Sequence, residues 1–210
     1  MPEVHIAGGE NRFVEEGGRR HLVQNYAHMG RALSEVLGEI DRRPTTMAEF
    51  HAVLIRTEAL TAIGGLDPRC STAFEHNDLC LSIAEQGGIG WLEPDVVVNW
   101  LPGRPTKPRN AAYHLVRWSR AWIDESLDGF CAKWRFSPDD RTLATSLVSL
   151  HGRRRLPLRY VHSVAWRLAR QAGVDFVDRI ADWWVDGVLC KRLDRGAPVI
   201  SVSRWPGSHG

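Results

Sequence analysis

The C-terminal half of the chain carries apolar residues at helical spacing. Leu115, Trp118 and Trp122 follow an i, i+3, i+7 pattern, which places all three on one face of a helix. The same kind of pattern recurs at Leu127, Phe130 and Trp134, at Val161, Val164, Leu168 and Ala172, and at Val174, Val177, Ala181, Trp184 and Val188. Residues 111–196 are therefore predicted to form a helical extension, in which Gly173 joins two helices.

The N-terminal half alternates short apolar segments with glycine-rich turns, which favours an α/β fold. Strands are predicted over residues 4–9 and 12–14, paired and closed by Gly17 and Gly18, and over 50–56, 89–92 and 96–100. Helices are predicted over 32–40, over 58–63, and from Asn77 or Asp78 to Gly87. Residues 101–109, with three prolines, are predicted to form a loop, and 197–210 a disordered tail.

Composition and charge indicate a single globular protein and argue against several other classes of protein. With 210 residues, 43% of them hydrophobic, the chain can bury one sizeable core. A net charge of +2 gives no general reason to expect a nucleic-acid partner. The four cysteines form no C-x-x-C pair, which argues against a cysteine zinc site and a disulfide framework. Reduced thiols and the lack of a signal-peptide pattern or a long apolar run predict a cytoplasmic protein.

Basic residues gather in the C-terminal half, at Arg153, Arg154, Arg155, Arg159, Arg167 and Arg170. They fit a solvated helix face. They also fit contact with anionic lipid or with a phosphorylated partner, and Trp183 and Trp184 would suit a membrane surface.

The densest group of acid–base side chains lies in Glu75-His76-Asn77-Asp78. A Gly64-Gly65-Leu66-Asp67 loop precedes it, and a Glu93-Pro94-Asp95 turn follows. Asp78 could cap a helix while Glu75 and His76 stay solvated, since Asn and Asp are favoured helix starts. Alternatively, the three groups form a functional site.

The order of five segments resembles the second half of the catalytic domain of family 2 glycosyltransferases, which have the GT-A fold. The segments are Leu54-Ile55-Arg56, Gly64-Gly65-Leu66-Asp67, Glu75-His76-Asn77-Asp78-Leu79, Gly87-Gly88 and Pro94-Asp95-Val96-Val97-Val98. The resemblance covers residues 49–100 and extends more loosely beyond them. It implies a partial GT-A-like mixed sheet with flanking helices over residues 1–110, before the helical extension.

The resemblance also implies a reaction, the inverting transfer of a sugar from a nucleotide sugar to a hydroxyl group. The family's acidic segment supplies the catalytic base, and His76 stands at the usual base position here. Imidazole can act as a base near neutral pH. Glu75 and Asp78 are the alternative bases, in which case His76 would bind the acceptor.

A second group of candidate residues lies on the helix predicted around residue 115. His114, Arg117 and Trp118 resemble the family's Q-x-x-R-W helix, with His114 in place of the Gln. There the Arg and Trp lie near the diphosphate and the acceptor, and a guanidinium suits a diphosphate by its planar set of donors. The alternative is that Trp118 is a core residue and Arg117 is an exposed one.

The family's metal ligands have no counterpart. Trp100 stands where the family often has a His, and no Asp-x-Asp precedes Glu75. His5, His21 and His51 form no i, i+4 pair and are interpreted as structural or solvated. No metal ligand or cofactor is therefore predicted in this chain, although Mg²⁺ or Mn²⁺ is expected in a complete enzyme.

The missing nucleotide motifs predict a fragment, or a protein acting with a partner chain that supplies the nucleotide-binding half. The expected ligands are a nucleotide sugar and a saccharide or other hydroxylated acceptor. Two further hypotheses are a non-catalytic subunit that binds a saccharide or a partner, and a peripheral membrane module.

Overall fold

A computed structural model describes residues 2–100, 110–137, 140–153 and 155–191. The loop predicted over 101–109 and the tail predicted over 197–210 lie outside the described residues. The strands are β1 (Gly9–Glu16), β2 (Arg19–Tyr26), β3 (Arg43–Thr45) and β4 (Gly90–Leu92). The helices are α1 (Leu33–Val36), α2 (Thr57–Ala62), α3 (Glu75–Glu85), α4 (Ala111–Arg117), α5 (Arg120–Trp134), α6 (Arg141–Arg153) and α7 (Arg159–Trp184), followed by a π-helical segment (Val185–Cys190).

The predicted turn at Gly17 and Gly18 is confirmed, but the strands around it differ from the prediction. Both glycines adopt positive φ, +59° and +73°, and connect β1 to β2 in an antiparallel hairpin. Residues 12–14 pair with residues 21–23 of β2 rather than with residues 4–9. Glycine is required where β1 begins, because a Cβ at Gly9 would stand 2.1 Å from the carbonyl oxygen of Asn25.

The larger mixed sheet that the resemblance implies is not formed by the described residues. The fold is mixed α/β, with two antiparallel sheets of two strands each, β1–β2 and β3–β4. The segments 50–56 and 96–100, predicted as strands, contain no strand. Their apolar side chains are largely exposed, and Leu54 is 99% exposed. A strand needs a hydrogen-bonding neighbour, and an apolar sequence alone does not provide one.

The main hydrophobic core forms where α5 crosses the start of α3 and the hairpin. Phe130 of α5 is fully buried and stacks on Phe74 at 5.1 Å and on Phe136 at 5.4 Å between ring centroids. Leu22 of β2 and Leu143 of α6 complete this cluster. The apolar stripe predicted for α5 is therefore confirmed as a core-facing surface.

Buried polar contacts fix α3 against its neighbours. Asp78 is 3% exposed, and its carboxylate accepts a hydrogen bond from Trp134 Nε1 at 2.8 Å and pairs with Lys133 Nζ at 2.7 Å. On the other side of α3, the side chains of Asn11 and Asn77 bond at 2.9 Å, and Asn11 Nδ2 donates to the Asn77 carbonyl at 3.1 Å. These contacts set the orientation of α3 relative to both β1 and α5.

Helix α7 departs from the prediction in two ways. The helical dihedrals break at Ala169 and Arg170, not at Gly173. Gly173 instead permits a close approach, because a Cβ there would stand 2.5 Å from the carbonyl oxygen of Ala165. The predicted stripe at Val161, Val164 and Leu168 is exposed rather than buried. No helix among the described residues is both long and apolar enough to cross a membrane.

The buried carboxylate of Asp78 generates a stability prediction. Replacing Asp78 by Ala leaves the Trp134 N–H and the Lys133 ammonium without their acceptor, which we expect to cost about 3 kcal/mol of unfolding free energy. Asp128→Ala on the exposed face of α5 is the matched control and should stay within about 0.5 kcal/mol of the wild type. Urea denaturation followed by circular dichroism measures both. Equal stability of the two variants would contradict this role for Asp78.

Candidate functional site

Helix α3 begins at Glu75, two residues before the predicted start. Phe74 precedes it in the left-handed conformation, with φ of 64° and no side-chain cap. The expected cap is absent because the Asp78 carboxylate turns inward to Trp134 and Lys133. Glu75 and His76 consequently occupy the first turn of the helix, where both side chains are partly buried.

Within the predicted motif, His76 has a ring nitrogen that forms no hydrogen bond. Its Nε2 is sealed from solvent and has no hydrogen-bond partner. Burial lowers the pKa of His76 below the ordinary value, against the opposing effect of the Glu49 and Glu75 carboxylates. The nearby His51 imidazole lowers the pKa further. Its surroundings therefore favour the neutral imidazole, which has one nitrogen lone pair.

Glu49 lies at the centre of the histidines around this helix start. Its Oε2 stands 2.5 Å from His51 Nδ1 and 3.8 Å from His5 Nε2. The two imidazoles meet edge to face, with 4.9 Å between ring centroids. One carboxylate therefore contacts two imidazoles and interacts electrostatically with a third, that of His76.

Trp100 covers this cluster with an aromatic face. Its ring stacks on His5 at 4.4 Å and lies tilted against His51 at 4.8 Å. The side chain is nevertheless 47% exposed. The position where the resembled family often has a histidine thus holds an indole that packs on two other histidines.

Tyr26 supports the cluster from β2. Burial raises the pKa of Tyr26 well above its usual range, and the charge and hydrogen bond of Glu49 raise it further. Gln24 Nε2 donates to the Tyr26 hydroxyl at 2.8 Å. Tyr26 therefore stays a protonated phenol that can donate to the Glu49 carboxylate.

The second predicted set, on α4, belongs to a different cluster. Leu115 and Val116 pack against Val185 and Cys190, and Trp118 is buried beside them. Two guanidiniums lie over the Trp118 ring, that of Arg153 at 4.9 Å and that of Arg117 at 5.2 Å. Trp118 is therefore largely a core residue, as the alternative interpretation has it.

Arg153 contacts His114 of α4 and acts electrostatically on Tyr26, which supports the Glu49 cluster. Its carbonyl oxygen stands 3.1 Å from His114 Nε2, and its guanidinium acts on Tyr26 by lowering that pKa against the larger effects of burial and Glu49. Arg153 is exposed, and its effect on Tyr26 is the observed link between the α4 residues and the Glu49 cluster.

Sequence reasoning does not identify His5, Tyr26, Glu49 and His51 as functional candidates, and it names Arg153 only as part of a basic group. The two histidines were judged by helical i, i+4 spacing, whereas Glu49 and His51 lie in an irregular segment and His5 precedes β1. The Glu-x-His spacing was the local signal available. Nothing local to His5 indicated its neighbours.

Burial keeps three of the four cysteine thiols protonated. Burial raises the pKa of Cys70 to about 12 and that of Cys131 to about 11. Burial also raises the pKa of Cys80, while the backbone of Ala48 partly offsets the increase. These three thiols are protonated at neutral pH and unsuited to nucleophilic attack.

Comparison with protein-family models, with curated proteins and with solved structures finds no match. The resemblance to family 2 glycosyltransferases therefore rests on the motifs and their order.

The buried thiols give a prediction that can be checked by alkylation. At pH 8 we expect Cys70 and Cys131 to react with iodoacetamide at least about 10²-fold more slowly in the native protein than in urea. Ser34→Cys on exposed α1 supplies a matched reference thiol that should react at the same rate in both states. Peptide mass spectrometry measures each rate separately. Rapid native labelling of Cys70 or Cys131 would contradict the burial argument.

Proposed function

We propose that this chain forms the acceptor side of a glycosyltransferase that moves a sugar, with inversion, from a nucleotide sugar to a hydroxyl group. The observation that carries the proposal is the unpaired Nε2 of His76 in the first turn of α3. It lies within electrostatic range of Glu49, Glu75 and His51. An acid–base group with an available lone pair is what activation of a hydroxyl requires.

The chemistry assigned to His76 is proton removal from the acceptor. As the acceptor oxygen bonds to the anomeric carbon, the bond from that carbon to the diphosphate breaks and the hydroxyl proton passes to Nε2. The acceptor reaches Nε2 only when the side chains that seal this atom from solvent move aside. The imidazolium formed is stabilised by the Glu49 and Glu75 carboxylates, which favour the charged form. Asp78 has a structural role in this proposal, because Trp134 and Lys133 already occupy its carboxylate.

Trp100 supplies an acceptor-binding surface in the same proposal. An exposed indole offers a broad, rigid apolar face, and the C–H face of a sugar ring packs against such a surface. Because Trp100 contacts His5 and His51, a ring held on its free side would lie next to the group of acid–base residues.

The donor's diphosphate calls for cations, and the arginines around Trp118 are the candidates. Arg117 and Arg153 both reach the Trp118 ring, and Arg153 is exposed beside Tyr26. His114, which contacts the Arg153 carbonyl, would hold that end of α6 in place. These contacts support a diphosphate-binding role for Arg117 and Arg153, with Trp118 as their platform.

The nucleotide itself is assigned to a partner chain or to further residues. Residues 50–56 and 96–100 are apolar, exposed and outside the strands of the described residues, which supports their pairing with strands of a nucleotide-binding half. The family's Mg²⁺ or Mn²⁺ belongs to that half, since this chain lacks its Asp-x-Asp and carries Trp100 at the His position.

Peripheral membrane contact is a second candidate function, favoured by α7. Phe176, Ile180, Trp183 and Trp184 follow i, i+4, i+7, i+8 spacing and are exposed. Arg179 lies among them. An exposed aromatic and apolar face is typical of helices at membrane surfaces. Asp175 and Asp182 accompany Arg179 on this part of α7, so the aromatic and apolar residues rather than charge favour this candidate. Co-sedimentation with phosphatidylserine vesicles that is lost in a Trp183→Ser variant would support this candidate.

Substitution of His76 tests the proposed base. The full chain is incubated with uridine, guanosine and thymidine diphosphate sugars, an acceptor panel and a lysate that supplies partner chains, and released nucleoside diphosphate is measured. His76→Ala should lower turnover by roughly 10²–10⁴-fold, the usual contribution of a positioned acid–base group. His151→Ala, which removes a partly buried imidazole on α6, is the matched control. Full activity in His76→Ala would contradict the proposal, and saccharide binding without turnover would favour a non-catalytic subunit.

Substitution of Trp100 separates acceptor binding from chemistry. Trp100→Ala should raise KM for the acceptor about tenfold or more and change KM for the donor little, because the indole is assigned to the acceptor alone. Trp91→Ala, which removes a similarly exposed indole on β4, is the matched control. An unchanged acceptor KM in Trp100→Ala would remove Trp100 from the site.

A further inference from the structure

The side chains of His5, Glu49 and His51 bring three potential metal-ligand atoms close together. A nitrogen of His5, a nitrogen of His51 and a carboxylate oxygen of Glu49 all lie within 4.8 Å of one another. Two ligand atoms on a tetrahedral ion at about 2.0–2.1 Å stand about 3.3 Å apart. The 3.8 Å between His5 Nε2 and Glu49 Oε2 lies above that value, and the 2.5 Å between His51 Nδ1 and Glu49 Oε2 lies below it. Side-chain rotations are therefore needed to bring the set to bonding geometry.

The cluster also contains a buried polar atom that forms no hydrogen bond. His5 Nε2 is sealed from solvent and has no hydrogen-bond partner. Buried polar atoms in folded proteins are nearly always satisfied, and an ion or water is a common explanation where one is not. By contrast, the imidazole of His21 is fully explained by its 3.1 Å contact with Asp140 Oδ2.

We propose that His5, Glu49 and His51 bind a first-row divalent transition-metal ion, with Zn²⁺ as the ion of best fit. Two imidazoles and one carboxylate form a ligand set that Zn²⁺ accepts, whereas Mg²⁺ and Ca²⁺ favour oxygen ligands throughout. Metal binding requires unprotonated ligand atoms, so the affinity for Zn²⁺ falls as the pH is lowered.

The surroundings have the features of a supported metal site. The Tyr26 hydroxyl bonds to Glu49 and is itself held by Gln24, which orients the carboxylate. Outer hydrogen bonds of this kind commonly fix metal ligands. Trp100 stacks on His5 and limits the rotation of its ring. Three protein ligands leave a fourth position open for water, a hydroxyl group or a phosphate oxygen.

This inference goes beyond the proposed function and does not depend on it. The two share Glu49: with Zn²⁺ bound to that carboxylate, Glu75 alone would stabilise the His76 imidazolium. Metal binding can be measured on this chain alone, without a donor, an acceptor or a partner. A failed transfer assay would leave the metal site intact, and a failed metal titration would leave the assignment of His76 intact.

The test is a metal titration of the full chain, purified without a histidine tag and stripped with EDTA. Zn²⁺ is added in competition with a chromophoric chelator. We expect one tight equivalent per chain, weakened at least tenfold in each of His5→Ala, His51→Ala and Glu49→Gln. Tyr26→Phe should weaken it about tenfold through loss of the outer hydrogen bond. His21→Ala is the matched control and should bind as the wild type does.

Two further readouts guard against variants that fail to fold. Far-UV circular dichroism verifies the fold of each variant, and Glu49→Gln keeps the size and shape of the side chain. Co²⁺ should give the visible absorption bands of a nitrogen- and oxygen-ligated ion, and Zn²⁺ should raise the Tm of the wild type but not that of Glu49→Gln. Absence of a tight equivalent, or equal Zn²⁺ affinity in the wild type and all three ligand variants, would overturn the proposal. So would equal affinity for Mg²⁺.

Discussion

The buried carboxylate of Asp78 is the constraint on which the rest of the structure depends. A carboxylate removed from water must be matched by donors, and here Trp134 and Lys133 of α5 provide them. This match fixes the rotation of α3 about its axis. With Asp78 facing α5 and Asn77 facing β1, Glu75 and His76 are left in the first turn, with His76 close to Glu49 and His51.

The burial of Asp78 also divides the Glu75-His76-Asn77-Asp78 motif into a structural part and a part at the candidate site. Within Glu75-His76-Asn77-Asp78, the last two residues hold the helix in the fold and the first two lie at the candidate site. The division follows from solvation: an ionised group with two strong donors is stable in the interior, whereas the Nε2 of His76 is sealed but unbonded. A ligand that forms a hydrogen bond with such an atom would stabilise the folded protein.

Several apolar segments are exposed in the part of the chain that the structure describes. Residues 50–56 and 96–100 expose valines and Leu54, and both halves of α7 expose apolar stripes. Apolar surfaces of this extent commonly mark contacts with other molecules. The segments 50–56 and 96–100 contain His51 and Trp100, and Glu49 directly precedes the first of them. A partner that covers them would therefore also close the candidate site on one side.

The sequence by itself determined the features that depend on near neighbours. The turn at Gly17 and Gly18, the end of α2 at Gly64 and the core-facing stripe of α5 follow from backbone freedom and from helical periodicity. The sequence also located the acid–base motif at residues 75–78. The GT-A-like sheet did not follow in the same way, because strand pairing depends on segments far apart in the chain.

Only the tertiary structure decided which side chains meet and which faces are covered. His5 reaches His51 because the turn at Gly8 and Gly9 and the Thr45 contact bring the chain start beside residues 45–51. The helical spacing of Val161, Val164 and Leu168 is that of a core-facing stripe, yet these side chains are exposed. Periodicity shows that one face of a helix is apolar, but not that another element packs against that face. Burial and proximity are properties of the whole fold, whereas a sequence pattern carries information about one element at a time.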